Sequence, residues 1–76
     1  MPTLGEFITH ARIYGYSRHV IRVRELRARI VYLRRGQGTT AKLVDLPPIR
    51  EGERLTRALV ESLCDRAQIP REDFGL

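Results

Sequence analysis

The feature that most constrains the fold is a strict alternation of side-chain character in two segments, residues 19–24 and residues 28–35. A period of two places successive side chains on opposite faces of a β-strand. A third apolar segment, residues 41–46, follows the turn signal Gly36-Gln37-Gly38. It ends before Pro47-Pro48, because proline cannot donate to a ladder. The sequence therefore predicts three consecutive antiparallel strands.

A helix is predicted on each side of these strands. Thr3-Leu4-Gly5-Glu6 forms a capping box that begins the first helix, over about residues 4–14, and Gly15 ends it. The second helix is predicted to begin near Glu53 and to end before Pro70. Its expected inward stripe consists of Leu55, Ala58, Leu59, Ser62, Leu63 and Ala67.

The order α-β-β-β-α predicts an α+β fold, a two-layer sandwich in which two helices cover one face of a three-stranded antiparallel sheet and leave the other face open. A chain of 76 residues allows a single domain, residues 1–76. Cys64 is the only cysteine, which excludes an internal disulfide and a multi-cysteine zinc site. We expect Cys64 to be a small apolar residue that fills space in the interior rather than a nucleophile. No apolar run approaches the roughly 18 residues of a membrane span. We therefore expect a cytoplasmic protein that binds no metal, cofactor or membrane.

Positive charge is concentrated in the predicted strands. Residues 1–43 hold nine bases and two acids, whereas residues 44–76 hold five bases and seven acids. Like charges on neighbouring strands repel, so folding alone does not explain this density. Contact with a polyanion, most commonly nucleic acid, does explain it. The candidate phosphate-binding residues are Arg18, Arg22, Arg24, Arg27, Arg29, Arg34, Arg35 and Lys42.

Few other side chains suggest chemistry. His19 begins the first strand within the basic region and could act as a general acid or base on RNA, although a structural role is the simpler interpretation. His10 lies on the first helix and is expected to point outward. Tyr32 could stack a nucleic-acid base or pack beneath a helix, and we favour packing. Asp45 is expected to pair with Lys42.

The element order and several short motifs resemble the HicA toxin family. In that family the first helix ends at a Gly-aromatic pair, as at Gly15-Tyr16, and a strand ends in Val-Pro, which Leu46-Pro47 resembles. In that family the last helix is followed by a short turn and by a final segment in which acidic residues precede a phenylalanine. The corresponding segments here are Ala67-Gln68-Ile69 and Arg71-Glu72-Asp73-Phe74. The resemblance implies a double-stranded-RNA-binding-like fold, the activity of a ribosome-independent mRNA interferase, and an antitoxin partner of the HicB type.

One departure from the family concerns its active histidine, which lies in a Gly-Ser-His-type segment at the start of the second strand. This chain has Leu26-Arg27-Ala28-Arg29-Ile30 at that place, with neither histidine nor glycine. We therefore expect a small basic RNA-binding protein. Two alternatives stay open: a ribonuclease that uses His19, the nearest substitute, and an interaction module that docks on an acidic, antitoxin-like protein. An open sheet edge would also invite a homodimer.

Overall fold

The computed structural model describes every residue from Met1 to Leu76, and its elements follow the order α-β-β-β-α. The strands pair antiparallel in the order β1-β2-β3, which confirms the predicted α+β sandwich. The helices and strands are α1 (Leu4–Ala11), β1 (Ser17–Val23), β2 (Ala28–Arg35), β3 (Lys42–Asp45) and α2 (Arg57–Ala67). Short 3₁₀ turns span Arg12–Tyr14, Gly38–Thr40 and Arg71–Phe74. Neither helix combines the length and the apolar character that crossing a membrane requires.

The capping box at the start of α1 is present as predicted. Thr3 Oγ1 accepts from the Glu6 N–H over 3.1 Å, and Glu6 Oε1 accepts from the Thr3 N–H over 2.9 Å. The helix continues as a 3₁₀ turn and ends at Gly15, whose φ of +88° lies in the left-handed region that favours glycine. The apolar stripe of α1 is buried and consists of Leu4, Phe7, Ile8 and Ala11.

The second helix begins at Arg57, later than predicted, with Thr56 as its cap. Residues 51–53 form a turn before the helix, and two of their carbonyls bond to the start of α1. The Leu4 N–H donates to Glu53 O over 2.9 Å, and the Gly5 N–H donates to Glu51 O over 2.8 Å. These carbonyls satisfy backbone donors that have no partner inside a helix.

The buried stripe of α2 also differs from the prediction. Ala58 and Ser62, which were expected to point inward, are exposed. The two are small and give little information about helix phase, whereas the larger Val60 is fully buried. The buried residues of α2 are Val60, Leu63, Cys64 and Ala67.

The core lies between the helices and one end of the sheet. The strands contribute only Leu33 of β2 and Val44 of β3 to the buried core, and no residue between Tyr16 and Leu33 is buried. Tyr16, just before β1, is buried and donates its hydroxyl to Ala67 O over 2.7 Å. This bond ties the entry of the sheet to the end of α2.

The β1–β2 hairpin extends beyond this core. Its ladder runs over seven residue pairs, from Ser17 with Arg34 to Val23 with Ala28, whereas β2 and β3 pair over only four. The distal half of the hairpin therefore has no third strand beside it, and its side chains from Val20 to Arg22 and from Arg24 to Ile30 are exposed.

Candidate nucleic-acid interface

The strand register decides which side chains share a face of the sheet, because directly opposed residues point the same way. Leu33 and Val44 are opposed and buried, so their face is the one that the helices cover. The helix-side face also holds Arg18, Val20, Arg22, Arg29, Val31, Arg35 and Lys42. The open face holds Ser17, His19, Ile21, Val23, Ala28, Ile30, Tyr32, Arg34, Leu43 and Asp45. The open face is thus mainly apolar and aromatic, and most of the basic side chains of the strands do not lie on it.

Positive charge collects instead at the distal end of the hairpin. Arg22 and Arg29 stand directly opposite each other, and Arg24 and Arg27 lie in the turn that joins the strands. The four side chains line one shallow depression with Val23 and Ala28. None of the four forms an ion pair with a carboxylate. We call these four residues, Arg22, Arg24, Arg27 and Arg29, the arginine end.

The opposed pair at the arginine end is unfavourable for folding. The Leu46 N–H donates to Val31 O over 2.9 Å, so Val31, and by alternation Arg29, turns its backbone groups away from β1. Arg22 and Arg29 are therefore a non-hydrogen-bonded pair, the kind in which opposed side chains are closest. Like charges at such positions repel.

The turn between β1 and β2 contains a second feature that is unfavourable for folding. The Arg27 N–H donates to Arg24 O over 3.1 Å, and Arg27 has a φ of +47°. A long side chain in the left-handed region is unusual, because glycine, asparagine or aspartate adopts it with less strain. The arginine end thus keeps arginine at positions where folding favours other residues.

Two of the eight predicted phosphate-binding residues have partners inside the protein. Arg18 Nε lies 2.9 Å from Glu51 Oε1. The Arg35 guanidinium lies over the Tyr16 ring, 4.9 Å from its centroid. Both contacts tie the sheet to neighbouring segments, so these two arginines have structural roles.

The other two predicted residues lie apart from the arginine end. Arg34 is on the open face, opposite Ser17 on one side and Leu43 on the other. Lys42 is on the helix-side face, opposite Arg35. Neither forms an ion pair. The structure therefore groups four of the eight residues at one site and separates the remainder.

A cleft of about 570 Å³ lies between the hairpin and the loop that follows β3. Apolar side chains such as Ile8, Val31 and Leu46 line it, and both members of the Arg18–Glu51 ion pair border it. Arg29 of the arginine end also borders the cleft, but the charges that line the cleft are of both signs, so it is not a purely basic surface.

The open face carries a pair of stacked rings. His19 and Tyr32 are opposed across β1 and β2, with ring centroids 5.4 Å apart and planes at 22°. His19 Nε2 also lies 2.8 Å from Ser17 Oγ. Tyr32 is half-buried and lies outside the core, so the prediction that it packs beneath a helix is wrong. Both strand faces of β2 are apolar here, and only the position of the helices distinguishes them.

Asp45 of β3 lies opposite Tyr32, on the side of Tyr32 that faces away from His19. It lies on the open face, whereas Lys42 lies on the helix-side face, so the predicted Asp45–Lys42 pair is absent. Asp45 forms no ion pair with any other base. It is an exposed carboxylate without an internal partner.

A polar cluster that sequence reasoning missed joins α1 to the C-terminus. His10 Nε2 donates to Asp73 Oδ2 over 2.9 Å, and the Tyr14 hydroxyl donates to the same oxygen. The hydrogen bond from Tyr14 is the largest cause that lowers the pKa of Asp73, and the bond from His10 is the next. The Tyr14–Asp73 bond also raises the pKa of Tyr14. His10 also meets the edge of the Phe74 ring, with centroids 4.9 Å apart. His10 therefore does not point outward into solvent, as the sequence predicts, but contacts the C-terminal segment. His10 and Asp73 are 63 residues apart, so no local sequence pattern indicates their contact.

The remaining candidate groups are inert or absent. Cys64 is fully buried, and desolvation raises the pKa of its thiol, which fits the predicted filler. No group of three or more His, Cys, Asp or Glu side chains could hold a metal ion.

Comparison with protein-family models, with curated proteins and with solved structures finds no match for this chain.

Proposed function

We propose that this chain is a small RNA-binding domain that holds the phosphate backbone with its arginine end. One observation carries the proposal: four exposed arginines without carboxylate partners share the end of a hairpin whose distal half adds nothing to the core. Their repulsion is relieved when phosphates supply the missing negative charge. Guanidinium groups suit this contact because they bind phosphate in a bidentate geometry.

The resemblance to HicA-type toxins supports RNA as the polyanion, and it supports a toxin–antitoxin setting in the cytoplasm. The hairpin lacks the histidine of that family at the start of β2, where Arg27, Ala28 and Arg29 stand. Binding without cleavage is therefore the function that the site supports best. An acidic protein partner at the arginine end is the competing occupant, and RNA titrations distinguish the two.

Salt dependence of RNA binding tests the proposal. We expect the logarithm of the association constant to fall against the logarithm of salt concentration with a slope of about −3, because four phosphate contacts to a single strand contribute about 0.7 each. The double variant Arg24→Gln/Arg27→Gln should reduce the slope to about −1.5. Fluorescence anisotropy with a labelled RNA measures both. A parent slope near zero would contradict the proposal.

A second candidate function is RNA cleavage by His19. The observation that favours it is the contact of His19 Nε2 with Ser17 Oγ at 2.8 Å, on the open face that Arg34 shares. His19 would take the proton of a ribose 2′-hydroxyl, and the 2′-oxygen would then bond to the adjacent phosphorus as the bond from phosphorus to the 5′-oxygen breaks. The departing 5′-oxygen would take a proton from water, and Arg34 would stabilise the negative charge on the phosphate in the transition state. His19→Ala should then abolish cleavage of a labelled RNA and any growth arrest on expression. If this variant is as active as the parent, His19 is not the base.

A further inference from the structure

The open face of the sheet, outside the arginine end, has the features of a nucleobase site. We propose that this face binds an unpaired RNA base, which stacks on the His19–Tyr32 pair while Asp45 accepts a hydrogen bond from an amino group of the base. The inference rests on the proposed RNA binding and adds its substrate class: single-stranded RNA, with cytosine preferred over uracil at one position.

The ring pair is the platform. His19, Tyr32 and Asp45 form one row across the three strands, because His19 and Asp45 are both opposed to Tyr32. The rings stack at 5.4 Å, and no helix covers them. Next to this row, Ile21 and Ile30 are opposed and remain 50% and 45% exposed. Bases stack on aromatic side chains of this kind because every base has a π-face.

Asp45 supplies the hydrogen-bonding group. In a chain with 14 lysines and arginines, its exposed carboxylate has no cationic partner. An ionised carboxylate accepts hydrogen bonds but cannot donate them. Beside a stacked pyrimidine it favours cytosine, whose N4 amine donates, over uracil, whose O4 only accepts.

The charges around the face favour a polyanion over a second copy of the chain. Arg34 lies on the same strand face, two residues from Tyr32, and has no carboxylate partner. Of the arginine end, Arg24 and Arg27 lie in the turn beyond Ile21 and Ile30, whereas Arg22 and Arg29 are on the helix-side face. A second copy would bring its own arginines against these and only one carboxylate, Asp45, on its open face. Duplex RNA also fits poorly, because its bases are stacked and paired.

The first test compares binding of a short oligo-cytidine with binding of the same strand annealed to its complement. We expect the parent to bind the single strand more tightly. Tyr32→Leu should weaken single-strand binding about tenfold, because one stacked base is lost. Tyr32→Phe, the matched control, keeps the ring and should bind like the parent. Neither variant should change the salt slope, since no phosphate contact is removed.

The second test addresses Asp45. The parent should bind oligo-cytidine about fivefold more tightly than oligo-uridine, a difference that one amine contact can supply. Asp45→Asn should abolish this preference, because its amide group can donate to uracil as readily as it accepts from cytosine. A parent without the preference, or a variant that keeps it, overturns the role of Asp45.

The outcomes separate this inference from the proposed function. If the parent binds RNA with a slope of about −3 but Tyr32→Leu changes nothing, or if duplex binds as tightly as single strand, the stacking site is wrong and the arginine end stands. If the parent binds no RNA at low salt, the proposed function fails first. If the protein sediments as a dimer that Ile21→Arg disperses, a second copy covers this face and the inference is overturned.

Discussion

Replacing Arg29 with glutamate should move folding stability and RNA binding in opposite directions. In the parent, Arg29 stands opposite Arg22 in a close pair of like charge, and neither has a carboxylate partner. Arg29→Glu converts this repulsion into a cross-strand ion pair. The variant therefore removes one of the proposed phosphate contacts directly and engages a second arginine within the protein.

The two magnitudes follow from the geometry. A favourable cross-strand pair contributes roughly 0.2–1 kcal/mol, so we expect the free energy of unfolding to rise by about 0.5 kcal/mol. For a domain of this size that increase corresponds to a Tm about 2–4 °C higher. Each phosphate contact to a single strand contributes about 0.7 to the slope of log affinity against log salt concentration. Losing two contacts therefore lowers the affinity for single-stranded RNA about 25-fold at about 0.1 M salt, relative to a 1 M reference.

Urea unfolding followed by circular dichroism measures the stability, and anisotropy over a range of salt concentrations measures the binding. Arg66→Glu is the matched control, because Arg66 is exposed on α2, has no ion pair and gives the same change in net charge. We expect the control to bind RNA nearly as the parent does. If Arg66→Glu weakens binding as much as Arg29→Glu, total charge governs binding and the arginine end has no special role. An unchanged salt slope in Arg29→Glu would refute the phosphate contacts themselves.

Three further variants test the structure from other sides. Arg27→Gly should raise the free energy of unfolding by about 0.5 kcal/mol, since relief of the left-handed strain exceeds the entropy that glycine loses, and it should weaken RNA binding in the same anisotropy assay. Tyr16→Phe should lower stability by about 1 kcal/mol in urea, because the buried bond to Ala67 O is lost. Tyr14→Phe should raise the pKa of Asp73, as followed by NMR, because it removes the largest cause of the lowered value. A carboxylate with a lowered pKa stabilises the fold above its unfolded pKa and loses that effect as pH falls through its folded pKa, so this variant should show less acid destabilisation than the parent.

Local patterns in the sequence predicted the elements well and the packing less well. Alternation correctly grouped Ile30 with Tyr32 and Val31 with Leu33, because strand parity depends only on adjacent residues. It could not say which group the helices cover, since both are apolar. That choice depends on the opposition of Leu33 and Val44 and on helices that lie far away in sequence. The start of α2 was misplaced for a similar reason: the carbonyls of residues 51 and 53 bond to the start of α1, which no local pattern reveals.

The candidate site was predictable in composition but not in arrangement. The sequence identified a cluster of arginines, yet the four at the hairpin end are distinguished only by the lengths of the two ladders. One signal could have found them: Arg22, Arg24, Arg27 and Arg29 are spaced symmetrically about Glu25-Leu26. Such symmetry brings residues together when the centre is a turn. The row of His19, Tyr32 and Asp45 required the register of three strands and had no equivalent signal.

The unequal ladders also bear on how a chain of this kind can change over generations. Residues 17–32 contribute no fully buried side chain, and only Val31 among them packs against the core, so most substitutions there leave the core packing intact. If the proposed function holds, core packing and RNA contact therefore rest largely on different parts of a chain of only 76 residues. The hairpin can lengthen, shorten or alter its charge while the same helices and the same few core residues maintain the fold. Under the proposed function, changes in the phosphate contacts of the arginine end can therefore arise in this stretch with little of the stability loss that usually accompanies new function.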